Sequence, residues 1–188
     1  MSVDDFASNQ ASGLTQTTDD FGTRQGGIGI SFNLQACMDY NDFTQLFDRY
    51  KITGIKLKFL FQNNVSALQA VGNRAPLPLI TYAFDADDAN SPPTRQAVAV
   101  KQYAKEKILN GNRTFSVFYK PRLSKLVYNG IITSAYTSSK PEWLDCNNPS
   151  VPHFGVKLWL NNWYSDTDTS SMKLTIQPIY YLAMKDTQ

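Results

Sequence analysis

The chain has 188 residues, enough to bury one hydrophobic core without disulfides or a structural metal. Charged residues make up 18% of it, below the ~25% usual for soluble domains, and a net charge of +2 gives no whole-chain sign of nucleic-acid binding. The two cysteines, Cys37 and Cys146, form no C-x-x-C pair and lack the density of a secreted disulfide scaffold, so a reducing compartment is the simpler reading.

Residues 1–27 hold Asp4, Asp5, Asp19 and Asp20 against Arg24 and offer little to bury, which predicts a loose lead-in or arm before a folded domain over 28–188. From Gly27 the period becomes two. Ile28, Ile30, Phe32 and Leu34 alternate with Gly29, Ser31, Asn33 and Gln35, the mark of a half-buried strand. Over 42–50 the alternation breaks: Asp42 can cap, and Phe43, Leu46, Phe47 and Tyr50 fall at i, i+3, i+4 and i+7, which predicts a short helix. Ile55, Leu57, Phe59 and Phe61 then alternate with Lys56, Lys58 and Leu60, the clearest strand signal in the chain. Asn63 and Asn64 suit a loop.

A third strand is expected over 79–84, with Pro76 and Pro78 confined to its start, followed by an acidic loop from Asp85 to Pro93. Residues 94–107 fit a short helix and then a strand through Ile108. After the turn Asn110-Gly111-Asn112, Phe115, Val117 and Tyr119 alternate with Ser116 and Phe118 in a further strand. Prolines at 121, 141, 149 and 152 among Ser, Thr and Asn make 121–152 a long connection with one short strand near Trp143. Two closing strands carry Phe154, Val156, Leu158 and Leu160, then Leu174 and Ile176 leading into Tyr180, Leu182 and Met184. About eight strands with no βαβ alternation predict an all-β sandwich. A single eight-stranded jelly roll with one or two short inserted helices is favoured, and an immunoglobulin-like sandwich is not excluded by counting.

No apolar run approaches the ~20 residues of a membrane-spanning helix, so membrane insertion is not expected. Catalysis has no visible foothold. The single His153 cannot build the several-imidazole metal site of a cupin, and a core or loop histidine held by a hydrogen bond is the expected role. Neither cysteine has a sequence neighbour that would lower its pKa, and no nucleophile elbow, phosphate loop or H-E-x-x-H pattern occurs. No cofactor is expected. Asp85, Asp87 and Asp88 are candidates for a calcium site, but a turn whose carboxylates cap loop amides or pair with a basic residue is favoured over it. The glycosylation triplets at Asn64 and Asn112 carry little weight.

Charge is segregated. Residues 101–125 hold Lys101, Lys105, Lys107, Arg113, Lys120, Arg122 and Lys125 against Glu106 alone. With Lys56, Lys58 and the aromatics Tyr103, Phe118 and Tyr119, this segment suits phosphate contacts and base stacking, while a solvated sheet face is an equal alternative.

An ordered set of motifs then stands out: FTQLFDRYKITGIKLKF at 43–59, YAFDADDANSPPTR at 82–95, RTFSVFYKPRL at 113–123, PEWLDCNNPSVPHFG at 141–155 and MKLTIQPIYYLAMK at 172–185. In this order they resemble the capsid proteins of circovirus-like viruses with circular single-stranded DNA genomes. The resemblance implies a single jelly roll, copies of which close into a small icosahedral shell of sixty subunits around circular single-stranded DNA, with assembly in the host nucleus. A host receptor is implied but unidentified. A closed shell needs contacts repeated around rotation axes, so Trp143, Trp159, Trp163 and Tyr164 become candidate interface anchors, with core packing the alternative for Trp159.

Members of that family usually begin with an arginine-rich arm, whereas this chain begins MSVDDFASNQ. Either such an arm has been trimmed from this sequence or DNA is neutralised mainly by the inner shell surface; in the second case phosphate contacts are expected on the jelly roll itself, at Arg113, Lys120 and Arg122 with Tyr119 for stacking. A carbohydrate-binding jelly roll and an RNA-virus coat protein are the competing functions, because the fold alone serves all three.

Overall fold

Residues 15–18, 24–62, 77–110, 113–129, 134–163 and 173–187 are described by the structure, a computed structural model. Along them run β1 (Thr15–Thr18), β2 (Arg24–Phe32), a 3-10 turn (Leu34–Ala36), α1 (Tyr40–Leu46), β3 (Phe47–Gln62), β4 (Leu79–Phe84) and α2 (Arg95–Ala99). The order continues with β5 (Lys105–Ile108), β6 (Arg113–Tyr119), β7 (Arg122–Asn129), β8 (Ser134–Ser139), β9 (Leu144–Asp145), β10 (His153–Trp163) and β11 (Lys173–Thr187). Asn64, Asn112 and Tyr164 lie outside the described residues, as do the side chains of Lys125 and Trp163.

Two antiparallel sheets form the jelly-roll sandwich. The first runs β1-β2-β10-β4-β5, with β7 on β10 and β8 on β7; the second runs β11-β3-β6, with β9 on β3. One edge of β10 takes β2, while the other takes β7 at His153 and Phe154 and then β4 from Val156 to Asn161. The core lies between the inner faces, where Ile28, Tyr82, Leu158 and Leu160 of the first sheet meet Ile55, Leu57, Phe59 and Ile176 of the second. Phe59 ties the layers together, its ring 4.6 Å from that of Phe115 and 6.5 Å from that of Tyr82.

The alternation of β3 changes phase once. Tyr50 and Ile52 are buried, then Ile55, Leu57, Phe59 and Phe61. Opposite, Tyr181 pairs with Gly54 and Leu182 with Ile52, leaving Thr53 as the extra residue of a bulge, its hydroxyl donating to the Tyr181 carbonyl at 2.9 Å. Without that insertion one half of the strand would turn its apolar set to solvent.

Three sequence expectations change. The helix predicted over 42–50 is α1 at Tyr40–Leu46, with no buried residue; pairing of Phe47, Arg49 and Tyr50 with Thr187, Lys185 and Met184 draws the rest into β3. The connection 121–152 contains the β7–β8 hairpin besides β9, so the described chain has eleven strands rather than about eight; Pro121 and Pro141 flank this hairpin instead of marking one long loop. Within the stretch predicted as lead-in, Thr15–Thr18 pairs with Arg24–Gly27, extending the first sheet by one strand. Among the described residues no helix is long and apolar enough to cross a membrane.

Candidate nucleic-acid and assembly surfaces

The outer face of the first sheet is covered by the chain's own acidic excursion. Gly27 and Gly29 leave room for it, since a Cβ on Gly29 would stand 2.1 Å from the Ala89 carbonyl oxygen and one on Gly27 would stand 2.4 Å from that of Pro92. Beside them Ala83, Val98 and Trp159 form a second small core, so Trp159 serves packing rather than an interface. Its indole N–H donates to Asn161 Oδ1 at 2.7 Å. The Thr94 hydroxyl caps α2 at Ala97, and Glu106 accepts from Arg95 at 2.6 Å and from the Thr81 hydroxyl at 3.1 Å, fastening α2 to β5 and β4.

Lysines take the places that a cation would need at the aspartates. Lys157 Nζ lies 3.0 Å from Asp85 Oδ2 and 2.7 Å from Asp88 Oδ1, and Lys101 Nζ lies 2.6 Å from the same Asp85 oxygen. The other Asp85 oxygen, Oδ1, accepts from the Asp87 N–H, and Asp88 Oδ1 accepts from the Asn90 N–H as well as from Lys157. Burial pushes the Asp85 carboxyl up, but the two lysines and the Asp87 amide more than offset it and hold it below its ordinary value. The favoured reading of these carboxylates, loop caps and ion pairs, is the arrangement observed.

His153 is fully buried where β2, β7 and β10 meet, its Nδ1 3.1 Å from the Val151 carbonyl; burial lowers its pKa, with the carbonyls of Val151 and Phe32 opposing. Burial pushes the Cys37 thiol up to about 11, Asp39 adding to it, and raises the Cys146 thiol as well. Both are the reverse of an activated nucleophile.

The predicted DNA-contacting set is split. Arg113 opens β6 and is exposed, but six residue steps along the strand, roughly 20 Å, separate it from Tyr119 at the far end. Tyr119 is not placed for base stacking. It faces the core at 6% exposure, with Phe32 at 5.6 Å and Phe84 at 5.4 Å against its ring, and burial pushes its hydroxyl well above its ordinary pKa. Lys120 and Arg122 do come together, on the wall of one cleft that the exposed residues Tyr103 and Phe118 also line. The basic segment is otherwise dispersed: Lys101 is spent on Asp85, and Lys107 lies 4.5 Å over the Phe115 ring.

The outer face of the second sheet carries exposed apolar groups, of which sequence reasoning singled out Phe118 and missed Ile179 and Tyr181. Phe118, Ile179 and Tyr181 are exposed there beside half-buried Lys56 and Lys58, and Phe118 meets Tyr181 edge-on at 5.5 Å. The signal for Phe118 was its phase with Thr114 and Ser116, since polar partners mark the solvent side of a strand. Trp143, 40% exposed, stands before β9 with Lys185 Nζ 5.0 Å above its ring. The backbone of Trp163 pairs with Arg24 at the end of β10.

Comparison with curated protein sequences finds no match. Among solved structures the chain is similar to the 60-mer of the BFDV capsid protein, at 12% identity and a TM-score of 0.56, covering 93% of this chain and 91% of that one. It is also similar to the decameric BFDV capsid protein, at 14% identity and a TM-score of 0.52, covering 91% and 90% of the two chains. At such identity the likeness establishes the jelly-roll fold. The family description "Circovirus capsid protein" matches residues 6–188, nearly the whole sequence, and on that ground the chain belongs to the circovirus capsid protein family and is a structural coat protein.

Proposed function

We propose that copies of this chain close into a small icosahedral shell of sixty subunits, formed in the host nucleus, that encloses circular single-stranded DNA. The observation that carries the reading is the family match across residues 6–188, and the BFDV capsid protein seen as a 60-mer and a decamer supports the assembly. The exposed aromatics Trp143 and Tyr181 offer the kind of anchor that dominates contact energy between subunits, with Trp163 and Tyr164 as further candidates. Lys120 and Arg122 are the phosphate contacts of this reading, and Arg113 is a separate one at the opposite end of β6.

Electron microscopy and light scattering of the purified protein test the shell: uniform closed particles are expected, and a stable monomer under every assembly condition would refute it. Digestion of the particle contents with DNase and RNase tests the cargo. Contents resistant to DNase and destroyed by RNase would make this an RNA coat.

A further inference from the structure

We infer that the cleft between the 101–104 turn and the β6–β7 corner is a subsite for one nucleotide of single-stranded DNA, with Tyr103 and Phe118 stacking the base and Lys120 and Arg122 holding the phosphate. This rests on the reading that the shell encloses single-stranded DNA, and it assigns that contact to a defined place on the jelly roll.

The cleft has a volume of about 440 Å³, within the ~300–1,000 Å³ of small-ligand sites. Its wall is electropositive. Lys120 and Arg122 make no ion pair among the described residues, and the one carboxylate that reaches the wall, Asp85, is held by Lys101 and Lys157. Gln102 and Ser138 add neutral polar groups suited to a base edge.

Tyr103 supplies an independent observation. The turn is closed by the Ala104 amide donating to the Lys101 carbonyl at 3.1 Å, and Tyr103 occupies its third position at φ 62, where glycine or asparagine is ordinarily found. A bulky residue held there is strained, and its ring is 70% exposed, so burial in this chain does not account for it. Phe118, 52% exposed, presents a second ring, and Gly54 makes space for it because a Cβ there would stand 2.5 Å from the Phe118 ring. Two exposed aromatic residues beside two cations that make no ion pair among the described residues fit a planar base linked to a phosphate. A sulfated glycan would require the cations alone.

The test is binding of a fluorescein-labelled oligodeoxythymidylate to the full chain, with heparin as the sulfated-glycan probe and a melting curve for each variant. Tyr103→Gly is expected to weaken oligonucleotide binding about tenfold while Tm stays or rises, since glycine takes this backbone conformation freely. Phe118→Ala is expected to act in the same direction. Lys120→Ala with Arg122→Ala is expected to reduce the salt dependence of binding by about two phosphate contacts. Wild-type binding by both aromatic variants would overturn the subsite, as would an equal loss of heparin binding in Tyr103→Gly. Particles that contain DNA alongside normal oligonucleotide binding by both aromatic variants would refute the subsite and leave the packaging reading standing. Empty wild-type particles, with oligonucleotide bound by wild type and lost in Tyr103→Gly, would refute packaging and keep the subsite.

Discussion

Lys157 of β10 and Asp85, the residue that follows β4, meet at 3.0 Å beneath the loop that covers the first sheet, both side chains under a tenth exposed although 72 positions apart in numbering. Lys157→Met leaves Asp85 buried with Lys101 as its remaining cation and frees Asp88. Breaking a buried pair in this way is expected to cost about 3 kcal/mol, a fall in Tm of roughly 6–12 °C for a domain this size. The native Asp85 carboxyl titrates below its free value of 3.8, so its share of stability is present above that pH and lost as pH falls through the lower native value. Thermal melts of wild type, Lys157→Met, Asp85→Asn and the double variant measure the coupling. Strict additivity would show that the pair contributes nothing.

The single histidine has the opposite charge logic. Because burial holds His153 below its free value of 6.5, the folded chain binds fewer protons there than the unfolded one. Stability is therefore full above about pH 6.5 and declines as pH drops toward the native value. His153→Gln is expected to be less stable at neutral pH yet to lose less on acidification, and parallel Tm-against-pH curves would count against this role.

Gly29→Ala tests the covering loop. The added Cβ meets backbone at Ala89 and Asn90 within 2.6 Å, so the loop must lift rather than a side chain rotate. A cost of about 1–3 kcal/mol is expected, as for overpacking of a filled site. Hydrogen exchange should quicken at the amides of Asp87 and Asn90, which Asp85 and Asp88 cap. Unchanged exchange there with lower overall stability would place the strain elsewhere.

Trp143→Ala separates folding from assembly. Its contact with Lys185 is an exposed cation–π pair worth about 0.5–1 kcal/mol, so the Tm of the unassembled chain should move by only a few degrees. An interface anchor loses about 2 kcal/mol or more per contact, so particle formation followed by light scattering should fail at concentrations where wild type assembles. Normal particles would remove Trp143 from the interface.

Much of the sandwich was legible because period-two patterns report which residues share a strand face: Ile28 and Phe32, Ile55 to Phe61 and Val156 to Leu160 enter the core as the alternation predicts, with Ile30 partly buried against it. Where strands pair was less legible. Phe47 to Tyr50 satisfy a helical spacing and were captured by β11, because fourteen register pairs along β3 outweigh one more turn of an exposed helix. The β7–β8 hairpin lacks that apolar alternation and is defined by its partners.

The sequence alone determined the all-β class, the family motifs and the clustering of positive charge over 101–125, since each is a local pattern of residue types. Only the tertiary structure decided how those charges are used. A side chain's role depends on the face its strand turns outward and on what folds over it. Tyr119 therefore packs inward between Phe32 and Phe84 while Phe118 faces solvent, and Lys101 and Lys157 hold the aspartates that seemed open to a cation. It also placed Lys120 and Arg122 beside Tyr103, a neighbour that numbering alone leaves some twenty positions away.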